Sequence, residues 1–158
     1  MRALYFAYFA WVGIFSPYLS LWFDSRGLSI GEIAVLMALP QLLRIVAPPF
    51  WGWLADRGGR RVAILRGAAI GALVVVAAFP LASRPLEYAG LMLLLFFLTA
   101  AQMPIGEAIA LDVARGDAGR YGRMRLWGSV GFILTVVAGG PVLDAFGLRA
   151  LPALMAGC

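Results

Sequence analysis

Arg44, Glu107 and Arg125 are charged side chains that fall within, or at the edge of, long apolar runs. A charge inside a membrane span costs about 3 kcal/mol on insertion scales, so such groups face a partner or a watery cavity. Arg44 lies about 11 residues above the inner end of its run, roughly 16 Å at the helical rise. That is near the midplane of a hydrocarbon core about 30 Å thick. Snorkelling from that depth is difficult, so Arg44 calls for an anionic solute, a buried carboxylate such as Glu107, or a carbonyl freed by a proline. Gln41 is one turn away on the same face. Glu107 and Arg125 have opposite charges on consecutive runs and can pair. Facing a watery cavity, such a pair can meet a solute. A structural ion pair, or Arg125 snorkelling to the interface, is the alternative.

The elements that must position these groups are membrane helices. The chain has 158 residues, of which 63% are hydrophobic and only 13% charged. Five runs can each span, at about residues 3–23, 30–55, 62–82, 88–111 and 124–143. A sixth begins near residue 150 and is too short to span by residue 158, so the expectation is a chain truncated within its sixth helix. The first run is too long for a signal peptide, and no small-residue cleavage site follows it. The runs do not alternate, which excludes a transmembrane barrel.

The arginines sort the connections. Arg2, then Arg57, Arg60, Arg61 and Arg66, then Arg115, Arg120, Arg123 and Arg125 mark one side. The intervening connections carry one arginine each, Arg26, Arg84 and Arg149. The positive-inside rule then puts the N-terminus in the cytoplasm. The formal charge of +5 is explained by this topology and needs no nucleic-acid partner. There is no histidine and one cysteine, Cys158, with no phosphate-binding loop or metal-ligand spacing, so nothing points to an enzyme. Prolines 17, 40, 48 and 49 lie inside the first two runs, where neighbouring groups must satisfy the freed carbonyls. Gly128, Gly131, Gly139 and Gly140 suit close helix packing.

The segment "GWLADRGGRR", residues 52–61, follows the second run. Its arginines alone would set topology. Asp56 is different, because an acid near a helix C-terminus meets the negative end of the macrodipole. It needs compensation from adjacent arginines or from another helix. Gly58 and Gly59 permit a tight turn with positive φ.

This segment resembles the signature between helices 2 and 3 of the major facilitator superfamily. Gly52, Leu54, Ala55, Asp56, Arg57, Gly59, Arg60 and Arg61 match it. The resemblance implies a gate, with Asp56 and the arginines biasing the conformational equilibrium and Asp56 finding its partner in a C-terminal half outside this chain. Residues 8–29, "YFAWVGIFSPYLSLWFDSRGLS", resemble helix 1 of the lactose permease group. Residues 107–132, containing "YGRMRLWGSVGF", resemble its helix 4–5 region and especially the phenylpropionate-permease branch. On that resemblance Glu107 and Arg125 bind substrate. Phe132 stands where lactose permease has a sugar-stacking tryptophan, which weakens a galactoside and leaves an aromatic acid open.

The resemblance implies an all-α major-facilitator fold with five complete transmembrane helices and the start of a sixth. Residues 1–158 would be the N-terminal six-helix half, built as two inverted three-helix repeats. The implied function is secondary transport of a small organic solute across the bacterial inner membrane by proton symport, with the proton as coupling ion and no cofactor. An aromatic acid such as phenylpropionate fits Arg44, Arg125 and Phe132. Sugar or nucleoside symport and drug or sugar export are the alternatives, followed by a receptor or assembly factor without transport. An exporter would carry a proline before a glycine pair in helix 5, whereas "AGGPVL" has the reverse order. The partners are the bilayer, the solute, protons and the C-terminal half, where the coupling residues are expected.

Overall fold

The computed structural model describes residues 1–158 as helices joined by short turns. Helix α1 covers Arg2–Ser25, α2 Ile30–Gly58 and α3 Arg61–Ala78, which closes on a 3-10 turn at Phe79–Leu81. Helices α4, Pro85–Thr99, and α5, Gln102–Ala114, together make the fourth span. Helix α6 covers Ala118–Phe146, and a turn at Leu148–Ala150 leads into α7, Leu151–Gly157. Five helical stretches are long and apolar enough to cross a membrane, so the chain is a multi-pass membrane protein.

Local chemistry sets the ends of these helices. Ser29 and Glu32 form a reciprocal capping box at the start of α2, with Glu32 accepting from the Ser29 N–H at 2.8 Å. Asp117 caps α6 by accepting from the Arg120 N–H at 2.9 Å. The fifth span therefore begins at Ala118, six residues before hydropathy places it, because a capped polar turn is still helix. Glu87 accepts from the N–H groups of Ser83 and Arg84 at 2.7 and 3.1 Å, which fixes the start of α4.

The fourth span is not the single stretch that residues 88–111 suggest. It breaks between Thr99 and Gln102. Pro104 has no N–H to offer the carbonyl of Ala100. The chain tightens instead, and the Ala101 N–H reaches back only three residues, to the Leu98 carbonyl at 3.2 Å.

The helices group into two compact units. One comprises Met1–Gly27 with Ala108–Cys158, and its axis is the α1–α6 pair. Gly128 faces the ring of Phe9, Gly131 the backbone of Phe6, and Gly139 the side chains of Tyr18 and Ile14. The partners move from Phe9 and Phe6 at Gly128 and Gly131 to Ile14 and Tyr18 at Gly139, so α1 and α6 run in the same direction, as first and fifth spans must. The hydroxyl of Tyr18 donates to the carbonyl of Val136 at 2.8 Å across this seam. At its arginine-rich end, Tyr5, Ala110, Ala114 and Met124 pack into a core. The glycines thus act as packing surface.

The other unit is Leu28–Glu107. Here α4 packs on both α2 and α3. The indole N–H of Trp51 donates to the Phe97 carbonyl at 2.6 Å, and the two rings lie 5.2 Å apart. Tyr88 is buried and donates its hydroxyl to the Ala82 carbonyl at 2.8 Å, tying α4 to the turn before it. Thr99, also buried, is satisfied by the Leu95 carbonyl of its own helix at 2.9 Å.

Candidate functional site

Arg44 is the central residue of α2, with fourteen residues of the helix on each side. The buried residues of α2 are Leu36, Pro40, Ala47, Trp51 and Ala55. Steps of four and three residues keep a helix on one face. Leu36, Pro40, Arg44, Ala47, Trp51 and Ala55 form one such series. Arg44 is the exposed member of this otherwise packed stripe. The helix therefore packs above and below Arg44 and leaves the guanidinium open at midspan. Arg44 joins no ion pair, so pairing with Glu107 is not made. Gln41, one turn away, is exposed as well.

Glu107 sits in α5, beyond the break, and is half-buried. Arg125 lies in the second turn of α6, and its guanidinium donates to the Tyr121 hydroxyl at 3.1 Å. Residues four apart on a helix are neighbours, so the spacing in "YGRMR" was the signal for Tyr121 as the partner of Arg125. Phe132 is seven residues beyond Arg125, two turns along the same face and about 10 Å up the axis. Both are exposed, beside the glycine stripe that packs on α1. A guanidinium and an aromatic ring in that arrangement can hold an amphipathic anion, the first its charged end and the second its apolar body.

At the arginine-rich turn, α2 ends at Gly58, and Gly59 takes the left-handed conformation with φ of 60°. A side chain there would be strained, so the second glycine of the motif is required by the turn. The turn brings Arg61 back onto Asp56, and the two form a salt bridge of 3.0 Å. This corrects the expectation that Asp56 finds its partner only outside this chain. The chain supplies one, five residues on. Side-chain exposure is 72% for Asp56 and 37% for Arg61, so water screens the bridge and leaves it worth less than about 1 kcal/mol. The guanidinium of Arg57 lies over the ring of Trp53 at 5.1 Å, and Arg60 is exposed. Nothing lies within 4 Å of the space a Cβ on Gly52 would fill, so the chain itself does not explain that glycine.

The whole chain, residues 1–158, matches the MFS_1 like family. Maltose permease of Geobacillus stearothermophilus is 33% identical over 141 residues, covering 89% of this chain and 36% of that protein. Multidrug resistance protein MdtG of Dickeya zeae is 31% identical over 157 residues, covering 90% of this chain and 38% of that protein. MdtG of Citrobacter koseri is 32% identical over 156 residues, with 89% and 38% covered. The chain spans little more than a third of the length of these relatives. No solved structure matches.

Proposed function

The chain belongs to the MFS_1 like family of the major facilitator superfamily, and from that premise we propose that the protein is a secondary active transporter of a small organic solute. The observation that carries this reading is Arg44, an ion-pair-free guanidinium at the centre of an apolar span, set in the packed stripe of its helix rather than on a lipid-facing one. Such a charge needs an anionic visitor. Secondary transporters bind substrate near the midplane.

The proposed solute is an amphipathic acid of the aromatic carboxylate class. Two candidate sets are proposed for it, Arg44 with Glu107 in one unit and Arg125 with Phe132 in the other, the arginines for its carboxylate and Phe132 for its apolar body. Asp56, Arg57, Gly59, Arg60 and Arg61 form the turn that biases alternating access, with Gly52 in the same motif. The chain is the N-terminal part of the transporter, its N-terminus cytoplasmic in a bacterial inner membrane, and the coupling ion is the proton. The weak Asp56–Arg61 bridge suits a latch, because a partner in another helix can exchange with it at little cost.

A second reading is export, and it is favoured by the multidrug resistance name of two of the relatives. Flux direction separates the two. Energised vesicles bearing the full-length protein would be offered labelled phenylpropionate, maltose and a cationic dye. Symport predicts accumulation of phenylpropionate that a protonophore collapses. Protonophore-sensitive extrusion of the dye, with no accumulation of the acid, would overturn the symport reading.

A further inference from the structure

At the arginine-rich end of the Met1–Gly27 and Ala108–Cys158 unit, a cavity of about 350 Å³ is lined by Met1, Arg2, Val113, Arg120, Arg123 and Met124. Its three charged side chains are all arginines. None of them joins a salt bridge. Two acids stand on the neighbouring elements. Asp117 caps α6 through the Arg120 N–H and holds its carboxylate near Arg123, since a Cβ on Gly119 would lie 3.2 Å from its Oδ1 and 3.5 Å from an Arg123 guanidinium nitrogen, and Asp112 does not line the cavity. The start of α1 adds to the positive potential, since its first turn has neither a side-chain cap nor an acidic residue.

The helical register shows that this cluster is separate from the substrate residues. At 100° per residue, Arg120 and Arg123 project on one side of the Gly128–Gly131 stripe, and Arg125 with Phe132 on the other. The arginines of the fourth connection therefore divide into two groups, and topology alone would not gather Arg2 from α1 with two of them.

Three like charges around one hollow repel one another, and an anion relieves that repulsion. The side chains of the other walls, Met1, Val113 and Met124, are apolar. The cavity lies where α1 and α6 begin, at the level where a membrane span meets the headgroups. We propose that this cavity is a binding site for a phosphate anion, and that its source is the headgroup of an anionic phospholipid, with the guanidiniums on the phosphate and the methionines against the glycerol and first acyl carbons. Arginine suits phosphate because its fork donates two parallel hydrogen bonds.

The test is a lipid titration of the purified full-length protein in detergent micelles, read by native mass spectrometry. Phosphatidylglycerol and phosphatidylcholine are compared, with inorganic phosphate as soluble competitor. Phosphatidylglycerol is expected to bind and phosphatidylcholine to bind at least tenfold more weakly. Arg120→Gln and Arg123→Gln each weaken phosphatidylglycerol about fivefold, the equivalent of about 1 kcal/mol, and the pair about 25-fold. Arg115→Gln, an exposed arginine of the same connection outside the cavity, is expected to leave binding within about twofold. Displacement of the lipid by millimolar inorganic phosphate supports the anion site and moves its source to soluble phosphate. Equal binding of the two lipids, or equal weakening by Arg115→Gln and Arg120→Gln, overturns the proposal.

Discussion

Gly131→Ala tests how the α1–α6 pair is built. The added methyl group would meet the backbone of Phe6, with the carbonyl carbon at 3.1 Å, Cα at 3.2 Å and the carbonyl oxygen closer still. Backbone cannot rotate aside as a side chain can, so the helices must separate. Overpacking of this kind costs about 1–3 kcal/mol. Alanine also gains about 1 kcal/mol over glycine in a helix, which masks part of the cost. Gly122→Ala on the same helix isolates the clash, because nothing lies within 4 Å of its Cβ position. It carries the same propensity gain and no contact. The difference between the two variants in a denaturant titration of the micelle-bound protein should therefore be about 1–3 kcal/mol, with Gly131→Ala the less stable. Tryptophan fluorescence follows the transition, since Trp11 and Trp22 lie on α1. Equal stabilities, within about 0.5 kcal/mol, would refute close α1–α6 contact at Gly131.

Three further outcomes are expected. Tyr18→Phe removes the hydroxyl that bonds Val136 across the same seam and should cost about 1 kcal/mol in that titration. Asp56→Asn should change stability by less than about 1 kcal/mol, because its bridge is exposed, while reducing transport by the full-length protein at least about tenfold. A large stability loss, or normal transport, would count against the latch. Pro104→Ala restores the missing N–H and should close the break in the fourth span, seen as slower amide exchange at Ala101 and Ile105, whose present bonds are 3.2 and 3.4 Å long.

The spans were legible because apolar runs need about 20 residues to cross a bilayer, and the arginines marked alternate connections. What hydropathy cannot see is helix that continues in polar sequence. Residues 118–123 are helical because Asp117 caps them, and the cap was readable from its position before "AGRYGRMR". The Ser29–Glu32 box was also readable, as a serine three residues before a glutamate. The break at Ala100 was signalled by Pro104, but the apolar run around it concealed the signal. For the candidate site, the depth of Arg44 followed from counting residues. Its place in the packed stripe did not, because α2 is apolar nearly all round and periodicity alone does not say which face packs. The Asp56–Arg61 bridge depended on the left-handed turn at Gly59, which reverses the chain. The gathering of Arg2 with Arg120 and Arg123 is a tertiary consequence of the α1–α6 pairing, so no local spacing announces it.

The most direct measurement is the proton movement that accompanies solute entry. De-energised vesicles containing the full-length protein are suspended in weakly buffered medium, and phenylpropionate is added while external pH is followed. Symport with Arg44 in the solute path predicts an alkalinisation of the medium with the wild-type protein, abolished by a protonophore and lost in Arg44→Gln, which inserts normally. An unchanged pH for the acid, for maltose and for a nucleoside would contradict solute–proton symport. A full alkalinisation in Arg44→Gln would contradict the role given to the central arginine of α2.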